Sequence, residues 1–385
     1  AISADALEDL ALNAGSNMSL VLGAIDTAGD ELQSIDINVS DDGAIGIPSI
    51  TATAGDIEAS TLTIDVGVGG VFGNAAVPTA ILADSIETAT ITVGAAGTMR
   101  ANLNYAGTTT ISATAGSTID IDTIGVDALE SSTTLTGRGT LEGTLDLLGD
   151  NTFNFSGFTS TGGALAIDAG SDDDDKVIVS NDLQNTYTLT GGGKINITTG
   201  AAIDTITTGA NIDTIATGAG ADIIDGGGLG DTINGGLGAD VIHIDADTDS
   251  QGTATTQTTL AGIDILTLGT GDTVDFAGFN AAAVIGATAT VQTVTLAAGT
   301  EATWADVITG INTLTNLASE VTLVKIVDLT TDTTGDGDFD GYYLIANDTT
   351  AAIAAADDVF IKLVGVDDDS LIAGVSAADI ASFTL

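Results

Sequence analysis

The sequence predicts an all-β protein: a parallel β-roll flanked by β-rich sandwich or solenoid regions, with few short helices. Three observations predict it. A nine-residue repeat runs through residues 199–243. Elsewhere Thr, Val and Ile recur in alternation, the pattern of strands with one buried face. Proline is confined to Pro48 and Pro78, and stretches of helical period are few.

In chain order, residues 1–165 read as a β-rich N-terminal region, either a sandwich or an irregular solenoid. The opening ADALEDLALNAG (4–15) has apolar residues at helical spacing and Gly15 as a stop, and predicts a helix. Strands follow at TLTIDVGV (61–68), TATITVGA (88–95), TTTISATA (108–115) and STIDIDTI (117–124). Gly69-Gly70, Gly94, Gly97, Gly107, Gly116 and Gly125 punctuate them as turns.

Residues 166–245 are read as the roll with its lead-in. The repeat reads TGAAIDTIT, TGANIDTIA, TGAGADIID, GGGLGDTIN, GGLGADVIH. It places Asp204, Asp213, Asp222, Asp231 and Asp240 nine residues apart. Each is followed by Ile two residues on (Ile206, Ile215, Ile224, Ile233, Ile242) and preceded by Gly four residues back. Each nonad splits into a glycine turn ending in Asp and a short β-prone piece with one inward apolar side chain. Glycine permits the positive φ of a tight turn and lets backbone carbonyls point at a cation. Aspartate adds a short, hard carboxylate, and calcium takes six to eight such oxygens at about 2.3–2.6 Å. Two nonads make one coil, so turns eighteen residues apart stack. Asp204 then pairs with Asp222, Asp213 with Asp231, and Asp222 with Asp240. Thr199, Thr208 and Thr217 replace the first motif glycine, and Ala202, Asn211 and Leu229 the third. TGGGKINIT (190–198) keeps Gly191 and Ile197 but has Ile195 in the Asp position, and reads as a metal-free capping coil.

Residues 246–385 read as a C-terminal β-rich region with one helix, at EATWADVITGINTLTNL (301–317). DTDSQGTATTQTT (247–259) reads as a linker. LGTGDTVDF (268–276) resembles a nonad out of phase, with Asp272 in the Asp position. Asp336, Asp338 and Asp340, followed by Gly341, put three carboxylates into one loop. That loop is either a single calcium loop between strands or a solvated hairpin turn; Asn347 at its twelfth position argues against an EF-hand. SDDDDK (171–176) reads as a solvated charge run, with Asp172 to Asp175 as further calcium candidates at subunit contacts.

The chain carries 54 acidic against 6 basic residues, a formal charge of −48, yet 44% of it is hydrophobic. That is the composition of a chain with a core, not of a disordered one. Six basic residues cannot build a phosphate-binding patch, which argues against nucleic acid as a partner. No apolar run is long enough to span a bilayer. There is no Cys, and His243 is the single His, so no enzyme is expected: Cys-His and His-rich zinc chemistry are excluded, and nothing singles out a carboxylate pair. The acidity reads as a calcium-binding secreted protein or as a halophilic or marine surface whose self-repulsion salt screens; the excess of Asp over Glu favours calcium-holding turns, and the two readings are compatible.

The nonads fit G-G-x-G-x-D-x-U-x, and residues 199–243 resemble the calcium-binding RTX β-roll. With the acidity, the absence of Cys and the final DIASFTL (379–385), the chain resembles RTX proteins exported by type I secretion, most like a bacterial surface-layer protein. The resemblance implies Ca²⁺ between stacked turns, with backbone carbonyls of glycine turns such as Gly218, Gly220, Gly227, Gly236 and Gly238 completing each site. It implies an uncleaved C-terminal secretion signal, in keeping with a start at Ala1 without a Sec signal. It implies an extracellular location on the bacterial cell surface. It implies a structural protein that self-assembles into a homo-oligomeric layer or filament, with a cell-surface polysaccharide as a further partner. Two other expectations stand beside it: an RTX adhesin fragment that binds a glycan or another cell, and a secreted RTX hydrolase.

Overall fold

The structure is a computed structural model. It describes residues 2–3, 9–27, 33–52, 60–73, 79–83, 86–105, 107–121, 123–125, 131–142, 144–148, 151–158, 164–168, 175–179, 186–190, 193–246, 249–250, 262–269, 271–276, 284–285, 292–296, 303–314, 320–328, 339–346, 358–364 and 382–384. It is all-β, built on parallel sheets in a roll-like arrangement, and it divides into two compact units, Ala1–Gly200 and Ala201–Leu385.

The first unit is a parallel solenoid, not a sandwich. Successive strands of one face lie in register: Asp9–Ala14, Ser34–Val39, Ser60–Val66, Ile86–Val93, Gly107–Asp120 and Ser131–Glu142. The register stacks Leu12, Ile37, Ile64, Ile91, Ile111 and Leu135 directly over one another, and all six are buried. Alternation turns the intervening residues outward, because side chains along a strand point to opposite faces. A second face stacks Ile50, Ile81, Leu103 and Ile124 in the same way. Coil length is irregular, from 19 residues (Ile178 to Ile197) to 31 (Ile50 to Ile81).

Two expectations are corrected in this unit. The predicted helix at 4–15 is, where described, the strand Asp9–Ala14. Its Leu10, Leu12 and Ala14 are buried and its Asp9, Ala11 and Asn13 exposed, so tertiary stacking on Ile35, Ile37 and Val39 selects the period of two over the helical one. TGGGKINIT is not a cap. Its strand Lys194–Thr198 stacks in parallel on Asp175–Val179, so the solenoid continues on its N-terminal side, with Ile195 filling the interior.

In the second unit the nonads form eighteen-residue coils with a short strand on each side. Thr205–Thr207, Ile223–Asp225, Val241–His243 and Thr273–Asp275 line one side, and Thr214–Ala216, Thr232–Asn234 and Asp264–Thr267 the other. Ile206, Ile215, Ile224, Ile233 and Ile242 fill the interior with at most 1% exposure. The strand Val359–Val364 adds in parallel to Asp264–Thr267, and Glu320–Asp328 and Gly341–Ala346 extend it as an antiparallel meander. The helix Trp304–Ile311 falls inside the predicted stretch. Its Val307 and Ile311 join Val294, Val324, Ile326 and Phe360 in a core beneath that meander.

Candidate metal centre

The phase of the nonad places its aspartates at the point where each turn gives way to a strand. All five are fully buried. They form two rows, one on each side of the coil. In the first row the backbone N–H of Asp204 donates to Oδ1 of Asp222 at 2.7 Å, that of Asp222 to Asp240 at 2.8 Å, and that of Asp240 to Asp272 at 3.0 Å. In the second, Asp213 donates to Asp231 at 2.7 Å and Asp231 to Asp264 at 2.9 Å. The pairings expected from sequence are therefore all present, and each row runs one step further.

Asp264 is the member that sequence reasoning missed. An insertion opens the spacing between partners from 18 residues to 33, so the nonad phase is lost. The local signal survives: Gly262-x-Asp264-x-Leu266 keeps the Asp and its inward aliphatic two residues on. Asp264 is held from behind by Ser250, whose hydroxyl accepts the Asp264 N–H at 2.6 Å and donates to the carbonyl of Phe360 at 2.5 Å. Asp272 ends its row differently, since its Oδ2 accepts the N–H of Gly269 at 2.6 Å within its own turn.

The turns place oxygen where the sequence asks for glycine. Gly218, Gly220, Gly227, Gly236 and Gly238 all have positive φ, between 74° and 152°. A Cβ on Gly227 would collide with the carbonyl of Gly209, one on Gly236 with that of Gly218, and one on Gly238 with that of Gly220. Leu229 sits at φ 78° in a motif-glycine position and bears that conformation with a side chain. The threonines that replace the first glycine are buried and tie coil to coil. Thr208 Oγ1 donates to the carbonyl of Gly226 at 2.6 Å, and Thr217 Oγ1 to that of Gly235 at 2.7 Å.

The second carboxylate oxygens of Asp222, Asp231 and Asp240 are buried and meet no hydrogen-bond donor. Burial, partly offset by the backbone N–H of Asp222, raises the Asp240 carboxyl to about 6, with repulsion from Asp272 and Asp222 adding to it. Burial and then the neighbouring Asp264 push Asp231 to about 10. Asp264 is raised well above the usual carboxylate range by its complete burial, and Asp222 is raised for the same first reason. A buried ionised carboxylate needs a counter-charge. No cluster of three or more acidic or histidine side chains converges on one point among the described residues. What the coils bring together is carboxylates linked row-wise through backbone N–H groups, and turn carbonyls packed against the glycines of the next coil. That donor set is all hard oxygen, and it suits calcium, which accepts carbonyls as readily as carboxylates.

Comparison with family models, with curated proteins and with solved structures found no match. The site is therefore read from its own chemistry. Asp340 is exposed at the start of the strand Gly341–Ala346, and Asp336 and Asp338 lie outside the described residues. Asp175 opens the strand Asp175–Val179, while Asp172, Asp173 and Asp174 lie outside the described residues. His243 faces Asp275 on the adjacent strand, Nδ1 to Oδ2 3.6 Å, both partly exposed. No helix among the described residues is long and apolar enough to cross a membrane.

Proposed function

We propose that this chain is a calcium-dependent extracellular structural protein of the RTX kind, which assembles with copies of itself into a bacterial cell-surface layer or filament. The observation that carries the reading is the pair of carboxylate rows, in which Asp222, Asp231 and Asp240 each leave a buried oxygen without a donor. Calcium, when bound, supplies a divalent counter-charge to oxygens that otherwise repel one another. The residues do the rest: Oδ1 of Asp222, Asp231 and Asp240 holds the coil before it through a backbone N–H, and Oδ2 of these residues together with carbonyls of the glycine turns would hold the ion.

This chemistry suits export. The roll is unfavourable where calcium is scarce and favourable where it is abundant, since an ion that binds only the folded state stabilises it by mass action. A charge of −48 with six basic residues also leaves subunits without opposite charge to meet, so bridging by a divalent ion supports assembly.

The test is circular dichroism and negative-stain electron microscopy of the full chain in calcium, in chelator and in sodium chloride of matched ionic strength. Calcium alone should raise the strand signal and give ordered polymer. Unchanged spectra in calcium and chelator would sink the metal reading. A calcium-folded chain that stays monomeric and captures a glycan would replace the layer with an adhesin.

A further inference from the structure

The outer face of the first unit carries an ordered array of hydroxyls, bordered by Asp65. Four stacked strands place Thr63, Thr90, Thr110 and Thr134 in register in one column. The positions two residues before and two after these are Thr or Ser at every place but one, Asp65. The first three strands present these side chains to solvent, and the fourth presents them half-buried. Ser112 and Thr136 hydrogen-bond across the strands at 3.4 Å.

Composition does not explain this. Thr favours any strand surface, but the same strands change character once they turn a corner. Beyond the register shift at Ala113/Ser117, Asp120 pairs with Arg100 of the neighbouring strand Thr98–Asn104, 3.4 Å apart. The preceding coil puts Asp36 beside Thr63. In a chain with 54 acidic residues, the nine array positions on the strands of Thr90, Thr110 and Thr134 carry no charge, and Asp65 and Asp36 mark the edge of the array.

The geometry is two-dimensional and fixed. Neighbouring strands lie about 4.7–4.9 Å apart, and residues i and i+2 roughly 6.6 Å apart along a strand. Threonine is stiff at χ1, so methyl and hydroxyl hold a constant pattern. The interstrand repeat is close to the shorter oxygen repeat on a prism face of hexagonal ice, and the along-strand repeat falls somewhat short of the longer one. Other occupants fit less well. The columns hold no Trp, Tyr or Arg, the residues that anchor protein interfaces. They have no aromatic ring for a sugar and no cation for a phosphate.

We propose that this face binds ice, with the threonine columns matching and ordering the water lattice. The proposal does not depend on the calcium reading, which concerns the other unit. The experiment uses the full chain in calcium and measures thermal hysteresis, ice-crystal shaping and partition into a growing ice front. The parent chain should score in all three. Thr110→Tyr, at the centre of the array, should abolish them with melting temperature and circular dichroism unchanged. Thr140→Tyr, on the same strand pair past the corner, should leave them intact. A parent chain without ice activity overturns the proposal. So does equal loss in both variants, or a Thr110→Tyr variant that changes only the mass of the particle in solution, which would make the face a contact between copies.

Discussion

The backbone N–H of Asp231 donates to Oδ1 of Asp264 across 33 residues of sequence, at 2.9 Å. The bond carries the second carboxylate row past an insertion and ties it to Ser250 and the carbonyl of Phe360. The roll and the C-terminal meander are thus joined at a buried acid. Asp264→Ala should therefore destabilise as a core change does. It leaves the Asp231 N–H without its acceptor, a loss of about 1–3 kcal/mol. Urea unfolding in calcium measures it. A change within about 0.5 kcal/mol, typical of a surface site, would show that Asp264 does not close the row.

Stability without calcium should fall as pH rises. The carboxyls of Asp240 and Asp231 are raised to about 6 and about 10 in the fold, against roughly 3.9 in an unfolded chain. Between the unfolded and folded values the native state holds more protons, so the slope of unfolding free energy with pH is negative. The penalty is absent below about pH 4, the unfolded value, and grows as pH climbs through the Asp240 value toward that of Asp231. In chelator, melting at pH 5 should exceed melting at pH 8. In calcium the order should vanish or invert, because the ion competes with those protons. Melting that rises with pH in chelator would mean the carboxylates are already compensated.

Leu229 at φ 78° offers a stabilising substitution. An L side chain in that region costs about 1–2 kcal/mol, and glycine returns roughly 0.5–1 kcal/mol through its freer unfolded chain. Leu229 is exposed, so little packing is lost. Leu229→Gly should raise stability by up to about 1 kcal/mol, read as a higher denaturant midpoint at unchanged slope.

The fold and the site differ in how far sequence reaches them. The roll is legible because its period is rigid: an eighteen-residue coil puts every Asp over an Asp and every Ile over an Ile. The first unit follows the same stacking rule, but its coils vary from 19 to 31 residues, so strands such as 61–68 can be read while their partners cannot. The opening segment fails for a related reason. Leu10, Leu12 and Ala14 alternate as a strand does, but with Leu7 and Ala11 the segment also fits a helix, and the partner that decides lies 25 residues away. The helix Trp304–Ile311 is legible because its start is encoded locally, the Thr303 N–H donating to the Asp306 carboxylate at 2.9 Å. Asp264 escapes notice because periodicity is blind across an insertion.

The two rows should also behave as separate chains of interaction. Asp222 and Asp240 share a row and a hydrogen bond of 2.8 Å, and Asp213 and Asp231 share another of 2.7 Å. Asp222 and Asp231 are nine residues apart but sit on opposite sides of the coil, since their following strands belong to different ladders. Double-mutant cycles to Ala in calcium separate these cases. Residues that share a hydrogen bond and a bound ion should show a coupling of about 1 kcal/mol or more, and residues in different rows less than about 0.5. Asp222 with Asp240 should couple, because the second substitution removes what the first has already broken. Asp222 with Asp231 should add. Asp231 and Asp240 each join two steps of a row, as Asp222 does, so all three single substitutions should weaken calcium titrations comparably. Strong coupling between Asp222 and Asp231 would place both carboxylates on one ion and overturn the two-row arrangement.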